Sequence, residues 1–133
     1  MQVFISGPMT GLPQFNFPAF MQAEDKARSL WEGVQGLKIH SPARVDMERG
    51  FVPWSCTGHE DLEDLNGFEG IDRIALMREN LNAVLDSDLV LLLNGWEMST
   101  GASAEVATAQ SCGIPIYRWG RVPNCGAWMM ERL

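Results

Sequence analysis

Short apolar runs alternate along the chain with stretches whose apolar residues recur at helical spacing. Residues 2–6, Gln-Val-Phe-Ile-Ser, form a β-branched and aromatic run that stops at Gly7-Pro8, which predicts a strand followed by a loop. Phe17, Phe20, Met21, Ala27, Leu30 and Trp31 then follow a helical period, with Asn16 as the expected cap, Pro18 in the first turn and Gly33 as the stop. A second strand is predicted at Leu37-Lys38-Ile39-His40 and is broken by Ser41-Pro42. Ile71, Ile74, Ala75, Arg78, Leu81 and Leu85 predict another helix. Leu89 to Leu93 is apolar on both faces, as a central parallel strand requires, and Asp88 before it reads as a cap or turn residue. Ser99-Thr100 caps a helix over Ala102–Gln110, Gly113 ends it, and Pro115 to Trp119 gives a last strand.

Strand and helix alternate throughout. The expected fold is therefore α/β, a doubly wound, Rossmann- or flavodoxin-like three-layer sandwich on a mainly parallel sheet of about five strands. All 133 residues fit one domain. Residues 47–70 break the alternation, with glycines, Pro53, Trp54 and the acidic cluster Glu60-Asp61-Leu62-Glu63-Asp64. Such a segment is too long for a tight connection, and reads either as a solvated surface loop or as a lid inserted over one end of the sheet.

Charge narrows the partners. Ten Lys and Arg against 17 Asp and Glu leave a net charge of -7, which disfavours nucleic acid and anionic membranes. No stretch approaches the ~20 apolar residues of a membrane span, and the first residues lack the basic region of a secretory signal. Three widely spaced cysteines, Cys56, Cys112 and Cys125, read as free thiols of a reducing compartment, so a cytoplasmic protein is expected. With only His40 and His59 as histidines, and no Cys/His cluster, no metal is expected.

Open α/β sheets bind ligands beyond the carboxyl ends of their strands, and two loops qualify. The first is Ser6-Gly7-Pro8-Met9-Thr10-Gly11, whose glycines allow close backbone approach and whose Ser6 and Thr10 offer hydroxyls. It matches neither a dinucleotide fingerprint nor a P-loop. The second runs from Asn94 through Trp96, Ser99, Thr100, Gly101 and Ala102 to Glu105. Free amides and the positive dipole end at that helix start, with the hydroxyls of Ser99 and Thr100, suit a phosphate without any Lys or Arg. Glu105 lies about one turn further in, beside residues too small to shield it; helix-dipole complementation is its ordinary alternative role. Trp96 can stack on a base or simply pack.

Together these segments resemble the nucleoside 2-deoxyribosyltransferase superfamily, particularly its small phage and bacterial members. The resemblance is carried by Val3 to Gly11, Ser41-Pro42-Ala43, Met77 to Leu81, Asp86 to Leu92, Gly95-Trp96-Glu97, and Ser99-x-Gly101-Ala102-x-x-Glu105 with Ala109 and Gly113-Ile114-Pro115. It implies that Glu105 attacks the anomeric carbon of a (deoxy)ribosyl group and expels the base through a glycosyl-enzyme. It also implies a homo-oligomer, a dimer, and no cofactor. Ser six positions before that Glu, here Ser99, is the pattern of the family's nucleoside 5′-monophosphate N-glycosidases, whereas the transferases carry an acidic residue there.

Two positions depart from the family pattern. Asn80 stands where an Asp is usual, and an amide is no general acid although it can hydrogen-bond a base edge. Its neighbours Glu79 and Asp86 are the acidic alternatives. Phe4 occupies a strand position where relatives often have Tyr, and reads as pocket wall or core. The expected activity is hydrolysis of a nucleoside monophosphate. Glu105 and Asn80 sit at the reaction centre; Phe4, Ser6, Gly7, Pro8, Met9, Thr10, Gly11, Trp96, Ser99, Gly101 and Ala102 bind the nucleotide. The alternatives are a non-catalytic nucleotide binder, such as a phage sequestering protein, and a deoxyribosyltransferase.

Overall fold

The computed structural model describes residues 1–61, 65, 72–121 and 128–133, with the side chains of 121, 128 and 129 excepted. Its elements in chain order are β1 (Gln2–Ser6), α1 (Phe17–Leu30), β2 (Lys38–His40), α2 (Pro42–Glu48), α3 (Arg73–Leu85), β3 (Leu89–Leu92), α4 (Thr100–Ser111), β4 (Ile116–Arg121) and β5 (Trp128–Arg132). The five strands form one sheet in the order β2-β1-β3-β4-β5. The first three pairings are parallel, and β4–β5 is antiparallel.

Period-two alternation divides the core between the two faces of this sheet. Val3, Ile5 and Leu91 point to one face, where α1 and α2 cover them with Phe17, Phe20, Ala23, Ala27 and Ala43. Phe4, Val90, Leu92 and Ile116 point to the other, against Ala83 and Val84 of α3 and Val106 and Ala109 of α4. Both β1 and β3 are buried on two sides, which explains why they read as continuous apolar runs.

Three local expectations are corrected. Ser41-Pro42 does not merely break a strand but opens α2: the Ser41 hydroxyl accepts from the Arg44 amide at 3.4 Å, and Pro42 takes the first helical position. Asn16 precedes α1 but does not cap it with its side chain, which donates instead to the Pro8 carbonyl at 2.9 Å. The antiparallel edge strand β5 extends the sheet past the last strand expected from the apolar pattern. Cys125 lies outside the described residues, while Cys56 and Cys112 are free thiols. Among the described residues, no helix is long and apolar enough to cross a membrane.

The chain order around β1 determines where an opening can form. From β1 the chain passes to β2 on one side and then returns to β3 on the other, so the loops leaving the carboxyl ends of β1 and β3 diverge. A crevice opens between them.

Candidate active site

A cavity of about 250 Å³ occupies this crevice. Gly7, Met9 and Thr10 from the loop after β1 form part of its wall, and Ser99, Thr100, Gly101, Ala102 and Glu105 form another. Asn80 of α3 lines it as well. The structure thus brings the two loops singled out in the sequence to one cavity, with the position of the expected acid between them.

The start of α4 leaves backbone donors free. Ser99 is its N-cap, and its hydroxyl accepts from the Ala102 amide at 3.2 Å. The Ser103 amide bonds the Ser99 carbonyl, whereas those of Thr100 and Gly101 have no backbone partner among the described residues. One turn beyond Gly101, Glu105 is 5% exposed, and its Oε2 accepts a 3.3 Å hydrogen bond from the Ser6 hydroxyl. Burial is the leading influence on this carboxyl and pushes it up to about 8, against the smaller opposing pull of Ser6.

A second set of polar groups lines the cavity from other elements. His40 ends β2, Asp46 belongs to α2, Arg49 follows α2, and Arg73 and Glu79 come from α3. Arg49 and Glu79 form a two-pronged ion pair, with Arg49 Nη1 2.9 Å from Glu79 Oε2. That pairing holds the Glu79 carboxyl below its usual range. Burial lowers the His40 imidazole, with Glu79 opposing, and its ring stacks on Phe4 at 5.3 Å between centroids. Asp46 is pushed up to about 7, first by burial, with Glu79 adding to the rise and Arg49 opposing it.

The apolar floor consists of Phe15, Phe17, Phe20, Phe51 and Leu65. Phe15 reaches it because Gln14, Phe15 and Asn16 all take left-handed backbone angles, at φ of 55°, 50° and 61°. Such a run is costly for residues with side chains and needs external support. The support comes from the segment after α2, where the Gln14 amide donates to the Cys56 carbonyl and its side chain donates to Trp54. The Gly11 amide donates to the Gly58 carbonyl at 2.7 Å.

Residues 49–61 are accordingly no freely solvated loop: Phe51 and Pro53 are buried, and Phe51 packs edge-on against Phe15 and Phe17. Glu60 closes its own turn, accepting from the Thr57, Gly58 and His59 amides, and its carboxyl falls to about 2. Residues 62–64 and 66–70 of the expected insertion, and Ile71 of the expected helix, lie outside the described residues.

Several expected contacts are not cavity contacts. Phe4 is fully buried in the core between the sheet, α3 and α4, which accounts for an aromatic residue at that point without a ligand. Ser6 is also fully buried and acts on the cavity only through Glu105. Neither Pro8, which is buried, nor Gly11, which forms a turn at φ 85°, is among the residues lining the cavity. Trp96 packs against the core cluster under α3 and α4 rather than over the cavity. Of the acidic neighbours of Asn80, Glu79 faces the cavity, while Asp86 is the exposed C-cap of α3. Asp88 accepts from the Gln2 amide at 2.8 Å, a structural tie.

The sequence reading missed Asp46, Arg49 and Arg73, and it expected an anion site free of basic residues. The available signal was the Ser41-Pro42 helix start, which places Asp46 one turn into α2. Among the described residues, no group of three or more His, Cys, Asp or Glu is gathered as a metal site.

Residues 1–118 match the family described as a domain of unknown function, DUF4406. The chain belongs to the DUF4406 family. The match spans β1 to the start of β4 and so contains every described wall of the cavity. No curated protein matches this DUF4406 chain.

Proposed function

We propose that this DUF4406 protein hydrolyses the N-glycosidic bond of a (deoxy)nucleoside 5′-monophosphate, with Glu105 as the nucleophile. The observation that carries this reading is the shared cavity: a buried carboxyl one helical turn from an unshielded helix start. The helix start suits a phosphate, and Glu105 then faces the sugar, at a separation set by the helix itself. Arg73 adds positive charge to the cavity of an otherwise acidic chain, while Arg49 is balanced by Glu79. The resemblance to the nucleoside 2-deoxyribosyltransferase superfamily supports the same chemistry, as do the strand order and helices on both faces, which we read as a doubly wound, flavodoxin-like three-layer sandwich.

In this reaction the ionised Glu105 attacks the anomeric carbon as the base departs, and water hydrolyses the resulting ester. A carboxyl held at about 8 is roughly a tenth ionised at neutral pH, so the attacking form of Glu105 becomes more abundant as pH rises towards 8. Ser6 fixes the orientation of the attacking group. The protein works in the cytoplasm as a homodimer and needs no cofactor.

The second reading is a nucleotide binder without turnover. It is favoured by the mostly neutral Glu105 and by Asn80, whose amide cannot protonate a leaving group. Incubation with a panel of ribo- and deoxyribonucleoside monophosphates, with free base followed by chromatography, separates the two. Tight binding with no base released from any member overturns the hydrolase in favour of the binder.

A further inference from the structure

Asp46 shares the cavity with Glu105 but stands on a different helix, and it is 9% exposed. Its carbonyl accepts from the amides of Arg49 and Phe51 at 3.2 and 3.1 Å, which anchors the end of α2 and the turn after it. Its carboxyl makes no hydrogen bond or ion pair with any described residue. The residue is nearly buried, yet its unpaired carboxyl oxygens are not among the fully buried polar atoms, so they open into the cavity that Asp46 lines, where a ligand can meet them.

We infer that Asp46 is the proton donor to the departing base, a role that rests on the hydrolase reading above. The titratable and charged groups that line the cavity with it are His40 from β2, Arg49 from the turn after α2, Arg73 and Glu79 from α3, and Glu105 from α4; Arg49 and Glu79 act on its charge. Burial, against the pull of Arg49, raises the Asp46 carboxyl to about 7, so it keeps a proton near neutral pH, and the pairing of protonated Asp46 with ionised Glu105 is most populated between about 7 and 8. In the first step, the bond from the anomeric carbon to Glu105 forms as the bond to the base nitrogen breaks. The electron pair of the broken bond goes to that nitrogen, which takes the Asp46 proton. In the second step, water attacks the anomeric carbon, Glu105 leaves as carboxylate, and the proton released by water returns to Asp46.

The test compares wild type, Asp46→Asn and Glu105→Gln on two substrates. One is the nucleoside monophosphate that the panel selects. The other is its phosphorylated sugar carrying nitrophenolate, a leaving group that needs no proton. Asp46→Asn should lower base release by about 10²–10⁴-fold and remove the alkaline limb of the pH profile, while nitrophenolate release stays within tenfold of wild type. Glu105→Gln should lose both activities. Retained nitrophenolate release also shows that the Asp46→Asn protein is folded. Equal losses on the two substrates, or undiminished base release, overturn the proton-donor role and leave the hydrolase standing. A wild type silent on both substrates overturns the hydrolase itself, and this role with it.

Discussion

The Ser6 hydroxyl donates to Glu105 Oε2 at 3.3 Å, joining the last residue of β1 to the second turn of α4 across 99 positions of chain. Both residues are buried, so the bond forms in a setting where polar groups need partners. It gives the Glu105 carboxyl a fixed orientation, and among the described residues no cation pairs with it.

The consequence is a stability that depends on Glu105. Its folded-state value of about 8 lies above the ordinary 4.5, so the native protein holds this proton more tightly than the unfolded chain. The stabilisation is complete below about pH 4.5 and is lost as pH rises through about 8. Asp46 adds a similar loss that is complete near 7. Glu105→Gln keeps the shape and the acceptor for Ser6 but removes the charge. It should therefore exceed wild type in stability at pH 9 by at least ~2 kcal/mol, with little difference at pH 5. Thermal unfolding at the two pH values checks this; a variant less stable at pH 9 would refute it. The same variant should abolish base release and leave nucleotide binding within about tenfold.

The sequence made the strands and long helices legible because their burial is two-sided or strongly periodic. Leu89 to Leu93 could only be an interior strand, and Ser99 with Gly113 marked both ends of α4. The short α2 was hidden because its buried residues are Pro42, Ala43 and Asp46, which make no apolar stripe. The cavity wall made by Pro42, Val45, Asp46 and Arg49 was lost with it. Asp46 looks like a surface charge until α2 is packed into the fold, and the exposed Arg49 joins the cavity wall through its pair with Glu79, 30 positions away in the chain. Phe4 and Trp96 were over-read for a related reason: an aromatic near a loop looks the same in sequence whether it faces a ligand or the core.

Gly7 is required by space rather than by backbone angle. A Cβ there would lie 2.7 Å from Leu93 Cβ and 2.9 Å from its Cδ1. Gly7→Ala should cost about 1–3 kcal/mol in urea unfolding, through overpacking of the β1 and β3 ends. Adding Leu93→Ala should recover part of that loss, giving a favourable coupling in a double-mutant cycle. Strict additivity would mean that the strain arises elsewhere.

Glu24 ties α1 to α2. Its buried carboxylate accepts from Arg28 at 3.0 Å and from Arg44 at 3.2 Å, and both arginines are partly exposed. Glu24→Gln leaves two cations facing a neutral amide in a buried position and should cost about 1.5–3 kcal/mol. High salt should shrink the loss only slightly, because the carboxylate itself is buried. A cost under about 0.5 kcal/mol would identify this cluster as an ordinary surface pair.

Ser99 is predicted to do two things at once. Its hydroxyl oxygen accepts from the Ala102 amide, and its proton is free to be donated to a phosphate oxygen held by the Thr100 and Gly101 amides. Ser99→Ala removes both interactions. Loss of the cap should cost ~1 kcal/mol of stability. Loss of a charge-assisted hydrogen bond, worth roughly 1.5–3 kcal/mol, should weaken monophosphate binding by about ten- to hundredfold. The corresponding nucleoside, lacking the phosphate, should bind both proteins alike. Ser99→Asp keeps the cap but sets a carboxylate against the phosphate, so it should invert the preference towards the nucleoside. Titrating both ligands against the three proteins, with unfolding measured in parallel, separates capping from recognition. Equal losses for nucleoside and monophosphate in Ser99→Ala would reduce Ser99 to a cap and remove the reason for preferring a monophosphate hydrolase to a nucleoside transferase.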